Sequence, residues 1–322
     1  MPPIIKESNK IKRMEQKLLS ICFPTYNRAE CIGEQLKRLY CVDKSVLKDV
    51  EIIVSDNCST DKTKDVILSY KDKLEFQYNR NERNLGPDEN YLYCFSHATG
   101  KYIWLVGDDD YLIPDNLHVV IDTLKDKDLG FLYIKPRANS EKPAYKAYNS
   151  KELFFDEIGI HITFLTSSVI RSDYVKDVDV TPYKGTWQEY VPFFFTSIVR
   201  GETNGELLFC IYEDPAASDT NGGYKIFNVF GVGFLRIVED FYKQGKISKR
   251  VFEIERNASF NFLKHYAYRL LVEHQKSNFI VKDAWPTLNK LFGRWRVKCS
   301  MLRICVGKTI KSLYAILFEI QS

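Results

Sequence analysis

This sequence lacks the marks of a membrane-embedded, secreted or nucleic-acid-binding protein. No apolar run approaches the roughly 20 residues that a bilayer-crossing helix needs. The N-terminal stretch "MPPIIKESNKIKRMEQK" is charged and has no apolar core of the kind a signal peptide carries. Net charge is only +4, from 46 Lys and Arg against 42 Asp and Glu, so no nucleic acid partner is expected. The eight cysteines (Cys22, Cys31, Cys41, Cys58, Cys94, Cys210, Cys299 and Cys305) form no CxxC pair and no framework spacing. They suit reduced, mostly buried thiols, and a cytoplasmic location is expected. Internal repeats and low-complexity segments are also missing.

What is present is ample apolar material. Of 322 residues, 45% are hydrophobic and 14% aromatic, enough for one large domain or a domain with an extension. The first half alternates strands and helices. "LLSICFP", "VEIIVSD", "LEFQYN", "YIWLVG" and "GFLYI" read as strands. Between them, helical spacing links Ile32, Leu36 and Leu39, then Val66, Ile67 and Tyr70, then Tyr91, Leu92, Phe95 and Ala98. A further helix opens at Pro114. The second of these helices is expected to begin near Ser59 or Asp61. Such alternation predicts an α/β fold with a mostly parallel sheet flanked by helices. From about Asn139 the pattern loosens. "HITFLTSSVI" and "GELLFCIY" read as strands, "SDTNGGY" as a turn-rich mobile loop, and "GTWQEYVPFFFTSIVRG" as a loop entering a helix with Pro192 in its first turn. From Val229 onward the sequence is helical. The expected division is residues 17–225 and a helical C-terminal extension, 226–322.

Ligands bind beyond the carboxyl ends of the strands in such sheets. The loops there hold "PTYNR", "SDNCSTD", "NRNERNLG" and "GDDDYL". Three adjacent carboxylates, Asp108, Asp109 and Asp110, follow an apolar strand at that edge. They suit a hard cation, since Mg²⁺ or Mn²⁺ takes oxygen ligands and keeps only one or two carboxylates when phosphate and water supply the rest. A diphosphate leaving group calls for that cation. The bland alternative is a solvated turn capping the next helix. Asp56 ends the second strand. Its carboxylate can accept the N3–H of uracil or thymine, or can cap its own turn with Asn57 and Ser59. Asn27 and Asn84 can bond a base, a ribose or their own backbone.

Taken together, "SICFPTYNR", "VEIIVSDNCSTDKT", "NRNLG" with Asn90, and "GKYIWLVGDDDYLIPDNL" resemble the inverting family 2 of GT-A-fold (Rossmann-like) glycosyltransferases. The "GDDD" form, with Gly107 where many members carry an aspartate, is most similar to the abequosyltransferase-like branch of bacterial surface polysaccharide assembly. The resemblance is strong over residues 17–135 and weak to about 215. It implies that Pro24, Thr25, Asn27, Asp56 and Asn84 line the donor nucleotide, that Asp108 reaches the ribose or sugar, and that Asp109 holds Mn²⁺ or Mg²⁺. It also implies a catalytic carboxylate in an "ED" pair before a helix ending in Arg and Gly. "QEYVPFFFTSIVRG" is the nearest match, which makes Glu189 the base, with Asp156 and Asp173 in reserve. The implied partners are a nucleoside diphosphate sugar, UDP- or dTDP-linked from the Asp56 contact, and a glycan or lipid-linked acceptor. The implied reaction is a single sugar addition with inversion, because the Gln-x-x-Arg-Trp signature of processive synthases is missing.

Two rivals remain at this level. A sugar nucleotidyltransferase shares the sheet type but usually begins with a Gly-rich loop, and "PTYNR" has no glycine. A carbohydrate-binding module without turnover requires that the base be missing. Finally, Leu291 to Phe318 mixes Trp295, Met301, Leu302, Ile304, Val306, Ile310, Leu313, Tyr314 and Leu317 with six basic residues. That mixture suits a helix lying in an anionic membrane surface, or the same apolar face packed on the core.

Overall fold

The computed structural model describes residues 16–138, 140–213 and 223–319, with side chains in the last helix described as far as Val306. Along the chain run β1 (Leu19–Thr25), α1 (Ala29–Tyr40), the short α2 (Lys44–Leu47), β2 (Val50–Asp56), α3 (Thr63–Leu68), β3 (Gln77–Arg80), α4 (Pro87–His97), β4 (Tyr102–Leu105), β5 (Tyr111–Leu112), α5 (Leu117–Asp126) and β6 (Phe131–Ile134). They are followed by β7 (Ala144–Tyr148), α6 (Lys151–Ile158), β8 (Ser168–Arg171), α7 (Val191–Arg200), β9 (Asn204–Leu208), β10 (Tyr212–Glu213), α8 (Phe234–Lys243), α9 (Lys249–Ala267), α10 (Ala284–Phe292) and α11 (Arg294–Glu319). The stretch 218–222 of the turn-rich "SDTNGGY" segment lies outside the described residues, as do the side chains of Ile310, Leu313, Tyr314 and Leu317.

Eight strands form one sheet in the order β3-β2-β1-β4-β8-β6-β9-β7. β1 runs parallel to both β2 and β4, with Leu19 opposite Val50 and Tyr102. β8 and β7 are antiparallel insertions. β1, β4 and β6 are buried along their whole length. Continuous apolar runs such as "YIWL" are what a sheet covered on both faces requires. One face packs Ile32, Leu36 and Leu39 of α1, Ile67 of α3 and Leu117 to Leu124 of α5 against Phe23 and Trp104. The other packs α4, α6, α7, α8 and α9 against Cys22, Ile103 and Phe131. Phe234, Ile237 and Phe241 of α8 thus share a core with Phe194 and Phe195 of α7. A third cluster joins Phe260 and Leu263 of α9 to Leu288, Phe292 and Val297.

Several expected boundaries moved. "HITFLTSSVI" is a strand only from Ser168. Before it the chain makes tight 3₁₀ turns, which Thr163 and Ser168 fasten through side-chain bonds to the carbonyls of Ile160 and Ile162. "GELLFCIY" breaks after Leu208, and Tyr212 pairs instead with Leu112. The helix expected at Ser59 or Asp61 begins at Thr63, because Asp56 and Asp61 hold the preceding turn by accepting from the Ser59 and Thr63 N–H groups. Pro114 opens a 3₁₀ turn that leads into α5. Pro192 does sit in the first turn of α7, where its missing N–H costs no helical bond.

Candidate active site

The carboxyl ends of β1, β2 and β4 converge. Thr25, the last residue of β1, is buried and donates its hydroxyl to Asp108 Oδ2 at 2.6 Å. Three residues on, Arg28 Nη1 lies 3.1 Å from Asp108 Oδ1 and 2.6 Å from Asp109 Oδ2. Asp108 is 6% exposed. Burial pushes its pKa up to about 6, and Asp109's charge adds to this, while Arg28 and the Thr25 hydroxyl oppose it. The third aspartate does another job. Asp110 Oδ2 accepts from the Thr166 hydroxyl, and the Asp110 carbonyl accepts from Gln35 Nε2 at 2.9 Å. Gly107 permits this fold-back, since a Cβ there would stand 2.8 Å from Asp110 Oδ2 and 3.2 Å from Asp109 Oδ1.

Asp56 is fully buried. Its Oδ1 accepts from Ser59 N–H at 2.8 Å. Its Oδ2 accepts from the Tyr78 hydroxyl at 3.1 Å and faces Arg80 Nε at 3.3 Å. A base contact at Asp56 therefore requires Tyr78 or Arg80 to give way. Asn27 adopts a left-handed φ of 53°, and its Oδ1 accepts from Thr60 N–H at 2.7 Å, so it ties β1's loop to the loop after β2. Asn84 accepts from Asn57 Nδ2 and Gly86 N–H, both at 2.9 Å. Asn57 in turn accepts from Asn81 Nδ2 and Leu85 N–H. Both asparagines shape loops at the site, and Pro24 lies buried within β1 beside Ser55.

Glu189 stands at the same edge. α7 runs from there toward the opposite edge, where the Ser197 hydroxyl reaches the Gly130 carbonyl. Glu189 is 3% exposed, and its Oε1 accepts from Gly185 N–H at 2.7 Å. The preceding Trp187, with φ 64°, packs on Tyr224 at 5.3 Å between ring centres. Of the two reserve carboxylates, Asp173 lies at the opposite edge. Asp173 follows Arg171, which is opposite Tyr102 at the start of β4, and it pairs with Arg171 at 2.8 Å. Asp156 is exposed on α6.

A cavity of about 1040 Å³ opens from Asp109 and Asp110. Thr166 and Phe164 line one wall, and Tyr224, Phe230, Tyr266 and Phe279 of the C-terminal region line another. Arg137, Arg269 and Lys276 also reach it. Sequence reasoning missed this aromatic wall, and it missed Arg28, although Arg28 stands inside the quoted "PTYNR".

The residues fit a divalent cation. A guanidinium already holds positive charge between Asp108 and Asp109, and two carboxylates suffice for Mg²⁺ or Mn²⁺ when phosphate and water complete the shell. Among the described residues no three His, Cys, Asp or Glu side chains form a protein-only cage.

The chain resembles known proteins in sequence and in fold. The model of glycosyl transferase family 2 matches residues 20–179. The abequosyltransferase RfbV of Salmonella typhimurium is 30% identical over 266 residues, covering 73% of this chain and 79% of the relative. Residues 1–349 of Staphylococcus aureus TarS, crystallised with UDP-GlcNAc, superpose with a TM-score of 0.63 at 18% identity, over 88% of this chain and 83% of that one. A Pyrobaculum calidifontis mannosyltransferase crystallised with GDP-Man and Mn²⁺ superposes with a TM-score of 0.54 at 15% identity, over 93% and 88%. With a 30% identical relative of which it covers 79%, this chain belongs to glycosyl transferase family 2.

Proposed function

We propose that this enzyme transfers one sugar from a nucleoside diphosphate sugar to a hydroxyl of a glycan or lipid-linked acceptor in surface polysaccharide assembly, with inversion. The observation that carries this is the Asp108–Asp109 pair, bridged by Arg28, with Asp109 lining a cavity of about 1040 Å³. Asp109, with Asp108 behind it, would hold Mn²⁺ or Mg²⁺, which when bound neutralises the charge that builds on the departing diphosphate. Arg28, once displaced from the carboxylates by the ion, would be available to phosphate oxygens, which a guanidinium binds well. The Thr25 hydroxyl orients Asp108 through its hydrogen bond to Oδ2.

On the acceptor side, Glu189 takes the hydroxyl proton as that oxygen attacks the anomeric carbon. The aromatic rings of Tyr224, Tyr266 and Phe279 offer apolar faces to acceptor sugars. For the donor we favour UDP or dTDP over CDP, through Asp56 and the ring N3–H. Peripheral attachment to an anionic membrane surface is supported by α11, which leaves Trp295 80%, Leu302 65% and Val306 48% exposed. No helix among the described residues is long and apolar enough to cross a membrane.

The test is release of nucleoside diphosphate from a panel of sugar nucleotides, with Mn²⁺ and with excess chelator. Metal-dependent release is expected. Pyrophosphate production from a nucleoside triphosphate would instead make this a nucleotidyltransferase. Saturable donor binding with no release under any acceptor would make it a binding module.

A further inference from the structure

We propose that Asp88 and Glu189 form a coupled carboxyl pair in which Asp88, as a positioning residue, holds and tunes Glu189 for its task as base. The inference rests on the reading of Glu189 as that base. Asp88 stands in the first turn of α4, and Glu189 in the loop before α7. They are 8% and 3% exposed. Each keeps one buried oxygen without a hydrogen-bond partner, Oδ1 of Asp88 and Oε2 of Glu189. Neither forms an ion pair among the described residues. The N–H groups of Trp187 and Glu189 lie close enough to favour the Asp88 carboxylate, and Gly185 N–H serves Glu189 Oε1.

The other ionisable groups facing the pair are few. Glu89 adds a further negative charge and is paired with Lys184 at 3.3 Å. Tyr91 and Tyr190 pack edge to face at 5.7 Å, and the Tyr190 hydroxyl donates to the Thr163 carbonyl. Tyr91 also lies within electrostatic reach of Asp108, which ties the pair to the donor side.

Two buried carboxyls without a cation resist carrying two charges at once. Burial first, then Glu189's charge, pushes the Asp88 pKa up to about 7. The chemistry benefits. Proton uptake relieves the repulsion between two buried carboxyls, which favours transfer of the acceptor proton to this site. In the step itself the acceptor oxygen forms its bond to the anomeric carbon as the bond to the diphosphate breaks. The hydroxyl proton passes to Glu189, and the pair goes from two charges to one. That proton returns to water once the product has left.

The experiment is the pH profile of kcat/KM for wild type, Asp88→Asn and Glu189→Gln, with titration of the free nucleoside diphosphate for donor affinity. The wild-type rate should rise through neutrality. Asp88→Asn should move that limb down by at least one pH unit and lower the plateau roughly tenfold, with donor affinity kept. A wild-type profile in Asp88→Asn would overturn the pair. Full transfer by Glu189→Gln would overturn the base reading instead, so the two failures are distinguishable. If Asp88→Asn folds poorly, wild type and Glu189→Gln decide through Tm against pH. A raised Asp88 pKa makes wild-type stability fall as pH rises through about 7. Glu189→Gln must shift that fall to lower pH, and an unshifted fall refutes the coupling.

Discussion

Removing Arg28 tests whether the acidic cluster is a cation site. In Arg28→Gln, Asp108 and Asp109 lose the guanidinium that stands 3.1 and 2.6 Å away. Removing one partner of a fully buried ion pair costs about 3–5 kcal/mol, because the other charge is left uncompensated. Here the Arg28 side chain is 25% exposed and that of Asp109 is 23%, so water takes over part of the charge. Thr25 also keeps its bond to Asp108. A loss of about 2 kcal/mol is therefore expected, a fall in Tm of about 3 °C for a chain of this size. Mn²⁺ should then do more for the variant than for wild type. In wild type the ion must displace Arg28, whereas in the variant it meets unpaired carboxylates. At about 100 times its Kd a bound ion adds about 2.7 kcal/mol, enough to restore the loss. The assay is thermal and urea unfolding with Mn²⁺, with Mg²⁺ and with excess chelator. If Mn²⁺ shifts the variant no further than wild type, or if the variant loses no stability at all, Arg28 is not standing in for a cation.

How much of this was legible in the sequence depended on how local the cause was. β4 and β6 are continuous apolar runs and β1 and β2 are mostly apolar ones, as burial on both faces requires. β7, "AYKAY", escaped notice because it is a largely exposed edge strand paired only with β9, so no apolar period marks it. The acidic cluster was legible because it directly follows a buried strand, so one stretch of chain fixes both. The different tasks of its members were not. They depend on Thr25, Arg28 and Thr166, brought in from β1, its loop and the turns before β8. Asp88 was hidden for the same reason. Its proposed partner Glu189 lies far along the chain, in a loop brought to α4 by tertiary contacts such as Tyr91 with Tyr190 and Glu89 with Lys184. Asn27 and Asn84 show the converse. Each was read as able to bond a base, a ribose or its own backbone, and the side-chain carbonyl of each is bonded to a backbone N–H of the site loops.

The remaining expectations are separate in cause. Asp109→Ala should keep its fold, lose nearly all turnover and lose the Mn²⁺-dependent rise in Tm, and full activity of wild type in excess chelator would contradict the metal reading. UDP should compete with the donor better than CDP, and preferential competition by CDP would refute the contact of Asp56 with N3–H. Glu255 is fully buried on α9 with both oxygens unpartnered, and burial pushes its pKa well above the ordinary 4.5. Its contribution to stability is therefore full below about pH 4.5 and is lost as pH rises. Glu255→Gln should gain roughly 2 kcal/mol over wild type at pH 8, with the gap narrowing toward pH 5. An equal gap at both pH values would show that the carboxyl is not held neutral. The last expectation concerns α11, whose two faces behave differently. Val297 is 2% exposed and Met301 packs into the third cluster, while Arg296 lies 4.2 Å from the centre of the Phe260 ring. A cut after Lys290 would therefore strip Phe292 and Val297 from the core and confound any membrane assay. Trp295, Leu302 and Val306 fall seven and four residues apart, on the exposed stripe. Replacing all three by Ser should cost little stability, since surface changes stay within about 0.5 kcal/mol each. It should abolish sedimentation with anionic liposomes, while neutral liposomes bind neither form. If the intact protein never sediments with anionic liposomes, or if the triple variant sediments as well as wild type, α11 is not a membrane-binding surface.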